Sequence, residues 1–336
     1  MKSTALKVRF SAQSKPFTDV VGLEVGAAYV QGVPAVRLRK RNGKTELMAA
    51  GFLTLPGALP QKPDLEDDVP VWSLPRPFQA QYAALAVTSP LAFLRHAAGS
   101  LDDEEANKLL AFRTASRQFA PELPPLSAGI PKFQATWAAR LLPEGHQPTT
   151  CSLQISPAAA INTFLAAPLF TSVAGTAVVL FVFPGYTSLA AFHESRLVLY
   201  REHPIGYAHV REAVCSHMRI DPSLADSILE DTFIDPIPMV EPVLRTLFRQ
   251  VEISYDYLTR RKNCQTQNFF ICGLPSGAKH WTSVFSRMLN LTLVPFLPFE
   301  GLERAAPSSC LPENLSAIAP FLTTALGAAR AVLEDV

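Results

Sequence analysis

Charge is scarce and evenly split in this sequence: 30 basic and 29 acidic residues leave a net +1, and Asp, Glu, Lys and Arg together make up 18% of 336 residues. No overall field draws such a chain to nucleic acid or anionic lipid, so a charged partner has to be met by a local patch. Cysteine is equally sparse. Cys151, Cys215, Cys264, Cys272 and Cys310 are odd in number and lack CxxC spacing, which suits reduced thiols better than a disulfide framework or a zinc site. There is no G-x-x-x-x-G-K-[ST] phosphate loop, no zinc-finger spacing and no RNA-binding aromatic signature. The N-terminal "MKSTALKVRFSAQSKPF" has scattered basic residues and no sustained apolar run, so it does not read as a secretory signal. A cytoplasmic protein is expected.

One long stretch lacks charge altogether. Between Glu144 and Glu194 there is no Asp, Glu, Lys or Arg, and Phe164 to Phe183 is apolar enough to raise the question of a membrane span. Pro168 interrupts it, Asn162, Thr163, Thr171, Ser172 and Thr176 dilute it, and "TAVVLFVF" is β-branched and aromatic. The pattern predicts a helix, a loop and a buried strand instead.

What the sequence does have, at 48% hydrophobic residues, is enough apolar material for one large core or two moderate ones. "VVGLEVGAAYV", "PAVRLRKR" and "KTELMAAGFLTL" read as three consecutive strands, the last two joined by Asn42-Gly43, a hairpin dipeptide. The pattern recurs in "TAVVLFVF", "TSLAAFH" and "RLVLYREH", with Gly185 near the first turn. The chain looks duplicated. Between the two sets, the Pro-rich, acidic Pro56 to Pro77 reads as a surface loop. Leu91 to about Thr150 reads as a small inserted subdomain, with "LDDEEANKLLAFRTASRQF" as a helix and "KFQATWAARLL" as a strand. After the second set, "AHVREAVCSHM", "SLADSILEDTF" and "MVEPVLRTLFRQVEISYDYLTRRK" carry helical periodicity. In the last of these Val240, Val243, Leu244, Leu247, Phe248, Val251, Tyr255 and Leu258 form one apolar stripe. Strand "NFFIC", helix "AKHWTSVFSRMLN", strand "LTLV" and an alanine-rich helix close an α/β chain.

Gly26, between two strands, poses the functional question: such a glycine either holds a phosphate against bare backbone N–H groups or serves an ordinary hairpin. Other constellations offer different chemistry. Ser276 and Lys279 fit the S-x-x-K spacing of an acyl-transfer nucleophile, without the companion S-D-N or K-T-G. His193, His203, His209 and His217 cluster in sequence but do not fall on one face. Arg37, Arg39 and Arg41 alternate along one strand, which fits either an anion-contacting face or a hairpin edge protected by charge.

Two strand–Gly–strand meanders followed by helices, an insertion in the first half and a late strand–Gly–helix together resemble the actin-like ATPase superfamily, and within it the PilM/FtsA type. The family's first phosphate motif is approximately D-I-G-S-S-S-V-K; here it reads Glu24-Val25-Gly26-Ala27-Ala28-Tyr29-Val30-Gln31. "VLFVFPGYTSLAAFHESRLVLYREHPIG" parallels the second phosphate segment, "IDPSLADSILED" the A-E-x-L-K helix, and "FFICGLPSGAKHWTSVFSRMLN" the nucleoside-closing element. The resemblance implies a duplicated RNase H-like, two-lobed α/β fold with an inserted small α/β subdomain. Residues 1–90 would open the first lobe, 91–150 form the insertion, 151–175 return to that lobe, 176–290 form the second lobe and 291–336 close back on the first.

The departures fall where the family does its chemistry. The motif's Asp survives only as Glu24, Ala27 and Ala28 lack hydroxyls, and Gln31 replaces the lysine. Phe181 and Phe183 stand at the second Asp and Gly, with Gly185 beyond them. Asp226 and Leu229 stand at the A-E-x-L-K acid and lysine, and Leu274 replaces the partner of Gly273. If each of three lost charge-assisted contacts is worth roughly 2 kcal/mol, about 6 kcal/mol moves a micromolar ligand toward tens of millimolar. The resemblance therefore implies a vestigial nucleotide cleft with no cofactor, ATP and magnesium being disfavoured. It implies a cytoplasmic scaffold, peripheral to an inner-membrane pilus or secretion machine, that holds the tail of a PilN-like membrane protein. Nucleic acid is not expected as a partner, and self-association stays open. A weak ATPase or switch in which Glu24 still recruits magnesium is the alternative, and an acyl hydrolase using Ser276 a third.

Overall fold

The computed structural model describes residues 17–27, 29, 31–55, 59–60, 69–96, 109–113, 126–142, 148–172, 175–194, 196–230, 234–266, 268–274, 278–305 and 311–333. Ala28 and Ser276 lie outside the described residues.

The first lobe starts as a meander, β1 (Asp19–Val25), β2 (Val33–Arg41) and β3 (Lys44–Leu53), paired antiparallel. Asn42 and Gly43, at φ 53° and 77°, give the β2–β3 hairpin the left-handed turn that matches strand twist. β4 (Tyr82–Val87) runs parallel to β1 on its other side. The chain then leaves the sheet for β5 (Phe93–His96), β6 (Leu109–Arg113) and β7 (Leu126–Pro131), a small antiparallel sheet of order β5-β7-β6, and for helix α1 (Lys132–Arg140). It returns as β8 (Thr149–Ile155), parallel to β4. A parallel neighbour needs a long crossover, and the insertion supplies it.

Helices α2 (Ser156–Leu165) and α3 (Pro168–Ser172) lead to the second lobe, where β9 (Thr176–Val182), β10 (Thr187–His193) and β11 (Arg196–His203) repeat the meander. Helices α4 (Tyr207–Met218), α5 (Pro222–Glu230) and α6 (Ile237–Lys262) follow. β12 (Asn268–Cys272) lies parallel to β9, and after α7 (Lys279–Leu289) comes β13 (Leu293–Pro295), parallel to β12. The second sheet, β11-β10-β9-β12-β13, thus repeats the order β3-β2-β1-β4-β8 of the first. β14 (Glu303–Arg304) extends the first sheet beside β3. Helices α8 (Leu315–Ile318) and α9 (Thr323–Leu333), joined by a 3-10 turn, then pack on the first lobe, α9 lying on β1, β2, β4 and α2.

Three local expectations are corrected. Leu109–Arg113, expected within a helix, is strand β6, because pairing with β7 decides the state of a short apolar run. Lys132–Arg140, expected as a strand, is helix α1: Ala135 and Ala138 recur three residues apart and are both buried, a helical and not a strand period. Leu293–Pro295, expected in the closing segment, belongs to the second lobe's sheet. The stripe expected on α6 does face the core, with Val240, Leu244, Leu247, Phe248, Val251 and Leu258 fully buried.

Three apolar cores result. One lies between the first sheet and α9, built on Val20, Val36, Leu38, Ala84 and Ala325. A second lies between the second sheet and its helices α4 to α7. The third runs continuously from the inner face of the first sheet through α2 to the inner face of the second. Phe164 of α2 is its hub: its ring stands 5.3 Å from Phe170 and Phe296, 5.6 Å from Phe270, 5.8 Å from Phe192 and 6.4 Å from Phe181. The charge-free stretch of sequence is therefore the joint between lobes. Leu315–Leu333, of mean hydropathy 1.4, has the length and composition of a membrane span, yet 83% of that window is buried inside the fold.

Candidate functional site

The ends of β1, β4, β8, β9 and β11 meet in a cleft between the lobes. Gly26 turns the chain at the end of β1 with φ 87°. A Cβ there would stand 2.3 Å from the Thr88 carbonyl oxygen and 2.4 Å from Leu59 Cδ1, so the position requires glycine both for its dihedral and for close packing. That packing is against the chain's own backbone and a leucine.

One residue before the turn's Val25, Glu24 is fully buried on the face of β1 toward α9. Thr88 Oγ1 lies 2.7 Å from its Oε1 and 2.6 Å from Ser156 Oγ. Burial pushes the carboxyl up from 4.5 to about 7 against the opposing pull of hydroxyls from Thr88, Ser156, Thr324 and Tyr29. Among the described residues its Oε2 has no hydrogen-bond partner. A carboxyl in this setting is a proton-holding group near neutrality, whereas a magnesium ligand has to be ionised and reachable.

Across the cleft, the β9–β10 turn closes on itself. Phe183 N–H donates to the Tyr186 carbonyl at 2.8 Å, and their rings stack at 4.6 Å with an 18° tilt. The first free N–H groups of α4 are taken as well: Tyr207 donates to the Phe183 carbonyl at 3.0 Å and Ala208 to the Pro184 carbonyl at 2.8 Å. Helix N-termini bind anions through those N–H groups; here the neighbouring turn occupies them.

At the start of α4 and on α5, Tyr207 Oη donates to Asp226 Oδ1 at 2.9 Å, and Arg211 stands 3.5 Å from Oδ2. Burial, then Asp226, holds the Tyr207 hydroxyl well above its usual range. Phe321, from the closing segment, packs 5.8 Å from the Tyr29 ring and 6.4 Å from the Tyr207 ring. These side chains leave a residual space of about 20 Å³ lined by Tyr29, Gln31, Tyr207, Arg211, Asp226 and Phe321 among others, room for about one water.

Of the residues singled out in the sequence, Gly26, Ala27 and Gly185 come together around a larger cavity of about 460 Å³. Gln31 and Asp226 meet at the small one. Phe181, Leu229 and Leu274 line neither: Phe181 joins the cluster around Phe164, and Leu229 and Leu274 lie in the second lobe's outer core. Gly273, at φ 88°, lets β12 end against the Val182 backbone, and Cys272 Sγ beside it lies 2.8 Å from Thr323 Oγ1. Tyr29 and Tyr186 fall inside the two phosphate segments without being assigned a role there, and no motif marks Thr88, Ser156, Tyr207 or Phe321, which meet them only through long-range packing.

The remaining constellations are dispersed. His193 Nδ1 bonds Thr176 Oγ1 at 2.8 Å, and His209 Nδ1 accepts the Gly206 N–H at 3.1 Å at the start of α4. Among the described residues no group of His, Cys, Asp or Glu has metal-binding geometry. Arg37 is tied to Asp19 by hydrogen bonds of 2.9 and 2.7 Å, with Arg39 3.6 Å from the same carboxylate. The arginine strand is thus internally neutralised in part.

No family model and no curated protein matches the chain. Among solved structures, a chain of the PilM-PilN type IV pilus biogenesis complex superposes with a TM-score of 0.70, covering 95% of this chain and 99% of that one at 17% identity. Ethanolamine utilization protein EutJ from Carboxydothermus hydrogenoformans aligns over 94% and 89% of the two chains at 13% identity, with a TM-score of 0.46. The first likeness, with the duplicated sheets, shows a two-lobed actin-like fold of the PilM type.

Proposed function

We propose, from this PilM-type actin-like fold, that the protein is a cytoplasmic scaffold of a type IV pilus or related secretion machine, one that binds no nucleotide and holds the cytoplasmic tail of a PilN-like inner-membrane protein. The observation that supports the reading is the superposition, over 95% of this chain and 99% of the other, on a chain of the PilM-PilN type IV pilus biogenesis complex. Against nucleotide binding stand the contacts at each position where phosphate, metal and nucleoside would sit. Glu24 is buried and holds a proton near pH 7, the α4 N–H groups are occupied, and Asp226 is engaged by Tyr207 and Arg211. Association with the membrane comes through the partner.

The inserted sheet offers a place for such a tail. β5 lies against β11 of the second lobe, whereas β6 forms the opposite edge of the three-stranded sheet, unpaired on its outer side among the described residues. An extended tail adding to β6 gains main-chain hydrogen bonds without needing a preformed pocket. The test is a fluorescence-anisotropy titration of the full chain with tail peptides from membrane proteins encoded beside it, followed by hydrogen exchange. Saturable binding with slowed exchange in Leu109–Arg113 supports the reading. Failure of every tail, or binding that protects only the second lobe, overturns it. Excision of the whole insertion is a poor control, because β4 and β8 are parallel and depend on that crossover.

A further inference from the structure

The larger cavity, about 460 Å³, has the size of a small-molecule pocket and a consistent chemistry. Val87, Ala92, Ile155, Pro157 and Pro204 give it apolar walls, and Tyr186, backed by the stacked Phe183, gives it an aromatic one. Among the described residues no lysine or arginine lines it. Glu202, at its exposed margin, accepts the Tyr200 hydroxyl and pairs with no described cation. His203, 7% exposed, borders the same space, and among the described residues its Nε2 has no hydrogen-bond partner. Burial, then the nearby Arg201, lowers its pKa, so this imidazole is neutral and adds no positive charge.

Among the described residues, an anion entering this space meets a carboxylate and no counter-charge. An organic cation meets the reverse: a carboxylate partner, an aromatic face that attracts positive charge and apolar walls for a hydrocarbon stem. We propose that the cavity between the lobes binds an ammonium or guanidinium group carried on an apolar stem, with Glu202 as its counter-ion. The group is either a free alkylamine or a Lys or Arg side chain of a bound polypeptide, and the cavity's assignment does not depend on the tail-binding reading.

Calorimetry on the full chain with hexylammonium, hexanol and hexanoate tests it. Only the ammonium is expected to bind saturably. Glu202→Gln should weaken it by up to about fivefold, the upper range for a partly exposed ion pair. Gly185→Leu should abolish it by filling the space, since Gly185 lines the cavity and a Cβ there meets nothing within 4 Å. A Lys- or Arg-bearing tail peptide that displaces hexylammonium assigns the cation to a partner; failure to displace it assigns a free amine. No saturable ammonium binding, hexanoate or hexanol binding as tightly, or full affinity in Glu202→Gln overturns the proposal.

Discussion

Replacing Glu24 by glutamine separates a vestigial carboxyl from a working one. In the fold its pKa rises from 4.5 to about 7, with burial the largest cause. A raised folded-state value means that the folded chain keeps a proton which the unfolded chain releases. The associated stability is therefore fully present below about pH 4.5 and is lost as the pH climbs through about 7. At about 1.4 kcal/mol per pKa unit, the shift corresponds to a loss of about 3 kcal/mol. Glutamine has the same shape, stays neutral at every pH, and can donate to the hydroxyls of Thr88 and Ser156 that surround the site. Urea unfolding of both proteins from about pH 5 to about pH 8 should show Glu24→Gln gaining on the wild type by about 2–3 kcal/mol over that range, the rest of the loss falling below about pH 5. Parallel curves, or a wild type that gains on the variant toward pH 8, would refute the reasoning. The second result would mean an ionised carboxylate held ready for a cation, as the weak-ATPase alternative requires.

Gly26→Ala, forced to keep φ 87° with its Cβ against the Thr88 carbonyl, should lower the urea midpoint by the equivalent of about 2 kcal/mol or more; an unchanged midpoint contradicts the packing described. Phe164→Ala, emptying the hub of the joint between lobes, should cost about 3–5 kcal/mol and separate the lobes' unfolding into two transitions by calorimetry. A single transition at the wild-type temperature would show that the lobes do not depend on that cluster. Burial pushes the Cys151 and Cys272 thiols up to about 12, so thiol reagents near neutral pH should modify them only after denaturant is added. Rapid labelling of either in the native chain would contradict their placement.

Much of the architecture was legible because local chemistry and global fold agree. Asn42-Gly43 fixes a hairpin, the strands of each meander alternate or run apolar as their burial demands, and α6 repeats its apolar residues at helical spacing. Reading failed in the insertion, where Leu109–Arg113 is a strand only because β7 lies beside it. At the site, the lost acids and hydroxyls were visible, but their replacements were not. Tyr29, Tyr207 and Phe321 meet in the cleft although the last two are separated by more than a hundred residues. Phe181 illustrates the same limit from the other side. It stands at a phosphate-motif position in sequence, yet its side chain joins the aromatic joint around Phe164.

The most direct test of the proposal that the cleft binds no nucleotide is a calorimetric titration of the full chain with ATP and magnesium at millimolar concentration. With Glu24 buried, the α4 N–H groups bonded to Phe183 and Pro184, and Tyr29, Tyr207 and Phe321 reducing the space beside Asp226 to about 20 Å³, no saturable heat is expected. Saturable binding at micromolar affinity would contradict it.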